Sequence, residues 1–258
     1  MYCSLVLVAT LVAVILQPLQ LSIVRVLEGG IPAWLGSGLG RAWHRQRRKK
    51  LREKVTDAVN LAVAAQDKAS RDRFEQQAGI ASAQLRSRYP MPDHLVRATA
   101  LGNVLAAMED TAGAAYGLDT VVVWPRLYAV LGDHIRPIVD DLRDSMDTGA
   151  RLAATGVVTA IAAAGLLAWY SGWWTLLALI PLAIAALAYI GAVQAAISYS
   201  GAIRVVFDLH RFDLLNALHL RVPEDDAKER QINSALSDFL RQGVPMSITY
   251  VQPDATNL

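Results

Sequence analysis

The sequence predicts an all-α, polytopic membrane protein in which three transmembrane helices carry a helical cytoplasmic domain, and three observations make that prediction. The 258 residues are 53% apolar and 19% charged, with a mean hydropathy of +0.29, more apolar and less charged than an average soluble domain. Residues 1 to 24 and the 52 residues from 152 to 203 carry no charge. Outside those gaps good helix formers dominate, and only residues 118–128 have the valine-rich character of a strand. The net charge of +2 excludes a globally basic nucleic-acid binder and an acidic disordered chain. A single cysteine, Cys3, excludes a disulfide framework or a thiolate metal site.

Taken in order, residues 1–24 hold transmembrane helix 1, over about 5 to 24, because Leu5 to Leu16 and the apolar residues after them supply the roughly 20 positions a span requires. No Lys or Arg precedes this run and Gln17-Pro18-Leu19-Gln20 follows it, so it reads as a retained anchor rather than a cleaved leader. The second gap, as one helix, would reach about 78 Å against a hydrocarbon core of about 30 Å, so it must fold back. Tyr170-Ser171-Gly172-Trp173-Trp174 supplies a turn former among interfacial aromatics and divides residues 152–199 into a hairpin with spans at 152–170 and 175–199. Gln17 and Gln20 lie near the inner end of the first span and Gln194 near that of the third, and an amide facing lipid is costly, so these side chains are expected to meet inside the bundle. Gly156, Ala160 and Ala164, with Ala188, Ala192 and Ala196, form small-residue ridges that let helices approach closely.

Orientation follows from charge. Arg25 to Lys54 holds nine Lys or Arg against two acids, and the 170–174 turn holds none, which puts residues 25–151 and the C-terminus in the cytoplasm and the N-terminus outside. Within that run Arg45, Arg47, Arg48, Lys49 and Lys50 are candidates for anionic lipid headgroups, alongside the plainer reading of a topology signal. Trp34 sits at headgroup depth on this reading.

Residues 25–151 form the cytoplasmic domain. From 43 to 88 there is no proline and one glycine, and Leu51, Val55, Ala58, Ala62, Ala65 and Ala69 make a heptad-like stripe that Phe74, Ala78, Ala81 and Leu85 resume, suited either to packing within the domain or to an oligomer seam. Tyr89-Pro90-Met91-Pro92 stops this helix and Asp93 is a cap for the next, whose apolar face is Leu95, Val96, Leu101, Val104, Leu105 and Met108. Residues 112–117 read as a loop and 118–128 as a short buried helix, for want of a second strand pattern. Another helix runs from about Asp133 into the second span, with Asp147 and Arg151 spaced for an ion pair. After the last span, residues 200–243 continue as an amphipathic helix ended by Pro223 and a short helix from Glu224 to Arg241 closed by Gly243, and 244–258 form a tail.

Three stretches carry a resemblance: Pro18-Leu19-Gln20 with Leu27-Glu28-Gly29, Tyr116-Gly117-Leu118-Asp119 followed by Trp124-Pro125-Arg126-Leu127, and Phe207-Asp208-Leu209-His210-Arg211-Phe212. With these the chain resembles an uncharacterised group of bacterial multi-pass membrane proteins. The resemblance implies a location in the bacterial cytoplasmic membrane and brings no activity with it. The group usually has a Tyr-Trp pair where Gly30-Ile31 stands here, and further hydrophobic sequence upstream.

Chemistry is sparse. Gly36, Gly38 and Gly40 follow no strand and lead to no Lys-Ser or Lys-Thr, so there is no phosphate loop. His44, His94, His134, His210 and His219 are scattered, and only His210, near Asp208 and Asp213, is crowded by carboxylates. Glu109-Asp110 reads as a helix-end surface rather than an acid/base pair, and no Gly-x-Ser-x-Gly occurs. No cofactor is expected. The spans contain no ionisable residue, which argues against ion-coupled transport but leaves a passive pore open. The function expected is a non-enzymatic membrane anchor or adaptor that binds or senses a cytoplasmic protein partner, through aromatic and basic contacts at Asp119, Trp124, Arg126 and Tyr128. The alternatives are a subunit of a passive pore or transport complex and an enzyme of unrecognised type. The lipid bilayer is the other partner, self-association is a further reading, and nucleic acid is not expected.

Overall fold

In the computed structural model the described residues are 26, 27, 29, 30, 37–170 and 172–246. Transmembrane helix 1, Trp34, Gln17 and Gln20 therefore lie outside the described residues, as do Ser171 and most of the tail. Seven α-helices organise the rest: α1 Ser37–Ala64, α2 Lys68–Arg88, α3 Ala100–Thr111, α4 Thr120–Val130, α5 Arg136–Tyr170, α6 Leu179–Ala217 and α7 Asp226–Gln242.

The long helix expected over 43–88 is two helices. The chain turns at Ala65-Gln66-Asp67, where the Asp67 carboxylate accepts from the Ser70 amide at 2.8 Å and caps α2. The reversal lets α1 and α2 pack as an antiparallel pair, so the alanine stripe is an internal face, with Ala58, Ala62 and Ala78 buried. The stop at Tyr89-Pro90-Met91-Pro92 is as expected, but Asp93 caps nothing in α3. It opens a single 3₁₀ turn, Asp93–Leu95, and Thr99 caps α3 by accepting from the Gly102 amide at 3.0 Å. Buried His44 contacts the Tyr89 hydroxyl at 3.2 Å, and Arg48 donates to the Asp93 carboxylate and the Met91 carbonyl, tying the first half of α1 to this bend.

Residues 120–130 are helical, as expected, despite Pro125 in their interior. Asp119 accounts for this, since its carboxylate accepts from the Val121 and Val122 amides at 2.9 and 3.4 Å and fixes the first turn. α6 runs past the apolar stretch to Ala217 and stops there, before Pro223, where His219 turns the chain at a φ of +55°. Asp225 and Gly243, at a φ of +68°, bound α7.

α5 and α6 form the longest antiparallel pair, and their exposure changes midway. Near Arg136 and near Ala217 they are walls of the main core: Val139 and Met146 of α5, with Ile203, Phe207 and Leu214 of α6, bury against Leu101 and Val104 of α3 and Val123 and Leu127 of α4. Beyond Ala150 and before Ala192 the pair projects as an apolar hairpin, with Leu152, Ile161, Leu166, Trp173, Ile180, Leu187 and Ile190 exposed. The helices touch closely at glycines: a methyl on Gly156 would come within 2.8 Å of the Ala185 Cβ, and one on Gly149 within 3.1 Å of the Ala192 Cβ. Residues 152–170 rise about 28 Å, and the return leg, a 3₁₀ stretch over Gly172–Ala178 followed by 179–190, about 32 Å. Both helices are long and apolar enough to cross a membrane. The stretch 192–199, read from sequence as the end of a last span, lies within the long apolar α6 and is partly covered by the rest of the protein. Ala192, Ala196, Tyr199, Ser200 and Ile203 are buried in the protein core, while Gln194 and Ser198 between them are exposed. Asp147 and Arg151, spaced for a pair, make no ion pair among the described residues.

Candidate functional site

The four residues singled out as partner contacts all lie on or beside α4, but they do not share a surface. Asp119, besides capping the helix, pairs with Arg241 of α7, and its amide donates to the Ser237 hydroxyl at 3.0 Å. It is a joint between α4 and α7. Trp124 points inward, its ring 6.4 Å from Phe207 of α6 and 5.7 Å from Tyr128 one turn on. The Tyr128 hydroxyl donates to the Asp140 carboxylate at 2.8 and 3.0 Å, and the Arg136 guanidinium lies 5.5 Å over its ring. That hydrogen bond to Asp140 holds the Tyr128 phenol above the usual tyrosine range. Arg126 is exposed, with its guanidinium folded back on the Val122 carbonyl of its own helix at 2.6 Å, and Val121, at the start of the same helix, is 60% exposed.

Trp124, Tyr128, Asp140, Arg143 and Tyr199 line an open cleft of about 280 Å³ between α4, α5 and α6. Its aromatic walls and mixed charge suit an inserted side chain better than chemistry on a substrate. Among the described residues no group of three His, Cys, Asp or Glu side chains is placed to hold a metal ion.

Two of the stretches that carry the resemblance meet in one network. Phe207 packs on Trp124, and Asp208 accepts from the Tyr116 hydroxyl at 2.7 Å. Arg211 lies 4.1 Å over the Tyr116 ring and donates to buried Glu229 of α7 at 2.8 Å. Gly117 has a φ of +76°, and a side chain there would meet the Arg230 carbonyl at 2.8 Å. His210, whose carboxylate neighbours drew attention, pairs with Asp213 three residues on at 2.7 Å. These residues clasp loop 112–117 to α6 and α7, so their pattern reports a fold joint.

The basic run divides. Arg45, Arg47, Lys49 and Lys50 are exposed, with Arg47 5.1 Å over the Trp43 ring and Lys49 3.9 Å from Glu53. Arg48 does not belong with them. It is buried and committed to Asp93. Gln194 is exposed on α6 and borders a second, larger cavity; its expected partners Gln17 and Gln20 lie outside the described residues.

Sequence reasoning missed two polar devices. Tyr189 accepts from the Ala100 and Leu101 amides at 3.0 and 3.3 Å, satisfying the start of α3 from another helix. Asn103, fully buried, accepts from the Arg97 amide at 2.9 Å and donates to the Arg97 and Thr99 carbonyls at 2.8 and 2.6 Å. An asparagine in a helical run is the only sequence trace of the second, and nothing local betrays the first. No family model, curated protein or solved structure matches this chain.

Proposed function

We propose that the chain is an integral membrane anchor of adaptor type: residues 5–24 and the α5–α6 hairpin cross the bacterial cytoplasmic membrane, and the helical domain on the cytoplasmic side binds or senses a protein partner. One observation carries the reading. α5 and α6 pass unbroken from an exposed apolar hairpin into the centre of the polar-surfaced domain, so a domain on these helices is held at the bilayer with no linker. Both legs match a hydrocarbon core of about 30 Å. The Leu27 carbonyl accepts from Thr99 at 2.6 Å, beside the contact of Ala100 with Tyr189, which supports a first span entering at the level where the hairpin leaves. At that level too, a methyl on Gly40 would meet the Ala98 carbonyl at 2.7 Å, which supports Arg45, about 8 Å further along α1, as a headgroup contact. The close packing at Gly156 and Ala185 leaves no lumen between α5 and α6, which favours an anchor over a pore subunit.

The exposed outer strip of α4, Val121 and Arg126, is the contact offered to the partner. Reporters fused after Lys54 and at the C-terminus should read cytoplasm, and a cysteine replacing Ser171 should label from outside. Photocrosslinkers at Val121 should yield one discrete adduct in cells that R126A removes. External labelling near Lys54 overturns the topology, and absence of a discrete adduct overturns the adaptor role.

A further inference from the structure

The larger cavity, about 700 Å³, opens between α2 and α6 and is bordered by Gln84, Arg86, Arg88, Thr111, Gln194 and Arg204. Three guanidinium groups and no carboxylate line it. Arg204 is the informative one. Arg48, Arg97 and Arg211, partly buried where helices meet, each lie against an acid, on Asp93, Glu109 and Glu229, and Arg136, bonded to the Ala129 and Leu131 carbonyls, stacks on the Tyr128 ring. Arg204 instead donates only to neutral oxygens, the Arg86 carbonyl and the Thr111 hydroxyl, both at 3.2 Å. A cation withdrawn from water without an opposite charge is costly, and here the nearest charge repels it: burial, then the neighbouring Arg86, pushes the Arg204 guanidinium below its usual range. Neither Arg86 nor Arg88 makes an ion pair among the described residues to offset this. A fold keeps three cations around one cavity at least cost when an anion fills it.

We infer that this cavity is a binding site for a phosphate-bearing anion, held by Arg86, Arg88 and Arg204 with Gln84 and Gln194 as further hydrogen-bond donors. Planar guanidinium groups suit phosphate oxygens in paired contacts. Gln194 lies four residues past Ile190, about 6 Å beyond the exposed apolar part of α6, so the mouth of the cavity is at headgroup depth. This depth rests on the membrane reading above, whereas the anion site itself does not. The phosphate can therefore come from an acidic lipid headgroup or from a soluble phosphate.

The test uses the full chain in nonionic detergent, with thermal stability followed during titration with dihexanoyl phosphatidylglycerol, dihexanoyl phosphatidylcholine or inorganic phosphate. Phosphatidylglycerol should stabilise the protein at much lower concentration than phosphatidylcholine. The R86Q/R88Q pair, whose side chains hold no part of the core, should raise the apparent Kd by about tenfold or more for each arginine lost, and R204K should restore what R204Q removes. Stabilisation by inorganic phosphate alone, lost in R86Q/R88Q, supports the same site with a soluble ligand. If neither anion stabilises, or if R86Q/R88Q responds as the parent does, the inference is overturned. Retention of parent and variant in the membrane pellet after carbonate extraction tests the anchor reading separately.

Discussion

The proposed membrane reading sets a depth at which the chain leaves the bilayer, and labelling can locate it. The charge-free sequence reads as a span to residue 199, whereas the structure ends the exposed apolar part near Ile190 and sends Ala192, Ala196 and Ile203 into the protein core. Ser198 decides between them, because it is exposed and lies eight residues past Ile190, about 12 Å along the helix. That distance exceeds the few ångströms by which a span accommodates mismatch. With Cys3 replaced by Ala, a cysteine at Ser198 should react with a water-soluble maleimide once cells are permeabilised, and one at Ile180, 57% exposed in the middle of the apolar return leg, should not. The energetic counterpart is I180K, which places an ammonium on the lipid-facing side at a cost of about 2.5–3.5 kcal/mol near the bilayer centre and should reduce membrane integration. Equal protection of Ser198 and Ile180 would refute an exit near Ile190 and restore the longer span.

Three further outcomes follow from contacts outside the hairpin. D119A removes the α4 cap and the Arg241 pair together and should cost about 1–2 kcal/mol, read as a lower unfolding midpoint in detergent, whereas R126A, exposed and bonded only to its own helix, should stay within about 0.5 kcal/mol. N103L leaves the Arg97 amide and the Arg97 and Thr99 carbonyls without their partner, and at about 1–3 kcal/mol for each buried group it should be among the most damaging single changes in α3; a melting curve like the parent's would show that water replaces the amide. Burial of His44, with Arg47 nearby, lowers its pKa below the ordinary value of about 6.5. The unfolded chain therefore takes up the proton first, so the contribution of His44 is present above about pH 6.5 and is lost as pH falls through its folded-state value. Unfolding midpoints measured from pH 7.5 to 5 should fall more steeply for the parent than for H44Q.

The helices were legible in the sequence wherever a single stretch contains its own reasons. Asp225 and Gly243 bracket α7, Tyr89-Pro90 ends α2, and the apolar run through α5 and α6 is unmistakable. What escaped depends on partners distant in sequence. Asp67 sits amid helix formers with nothing local to mark a reversal, and the break pays off only because α2 then covers the alanine face of α1. Asp93 looks like a cap, but Arg48, 45 residues away, takes its carboxylate and leaves the role to Thr99. Absence of charge was the most misleading signal, since a helix buried in protein and a helix buried in lipid exclude charge for the same reason. Only the exposure of Leu187 set against the burial of Ala196 separates them.

The same distinction bears on where function should be sought. Trp124, Phe207, Asp208, Arg211 and Tyr116 form a distinctive sequence pattern, yet each is occupied in holding a loop and three helices together, and substituting any of them tests the fold before it tests a partner. Recognition needs groups whose capacity is unspent. Among the described residues the outer side of α4 around Val121 and Arg126 and the cations around the α2–α6 cavity are two such places, neither of which has a helical period or a motif to announce it. Arg86 and Arg88 look like ordinary surface charge at the end of a helix until the fold brings Arg204, from more than a hundred residues away, to the same space without an acid. A like-charged cluster gathered across that separation opposes folding through its own repulsion, so its persistence is better explained by what it binds than by what it stabilises.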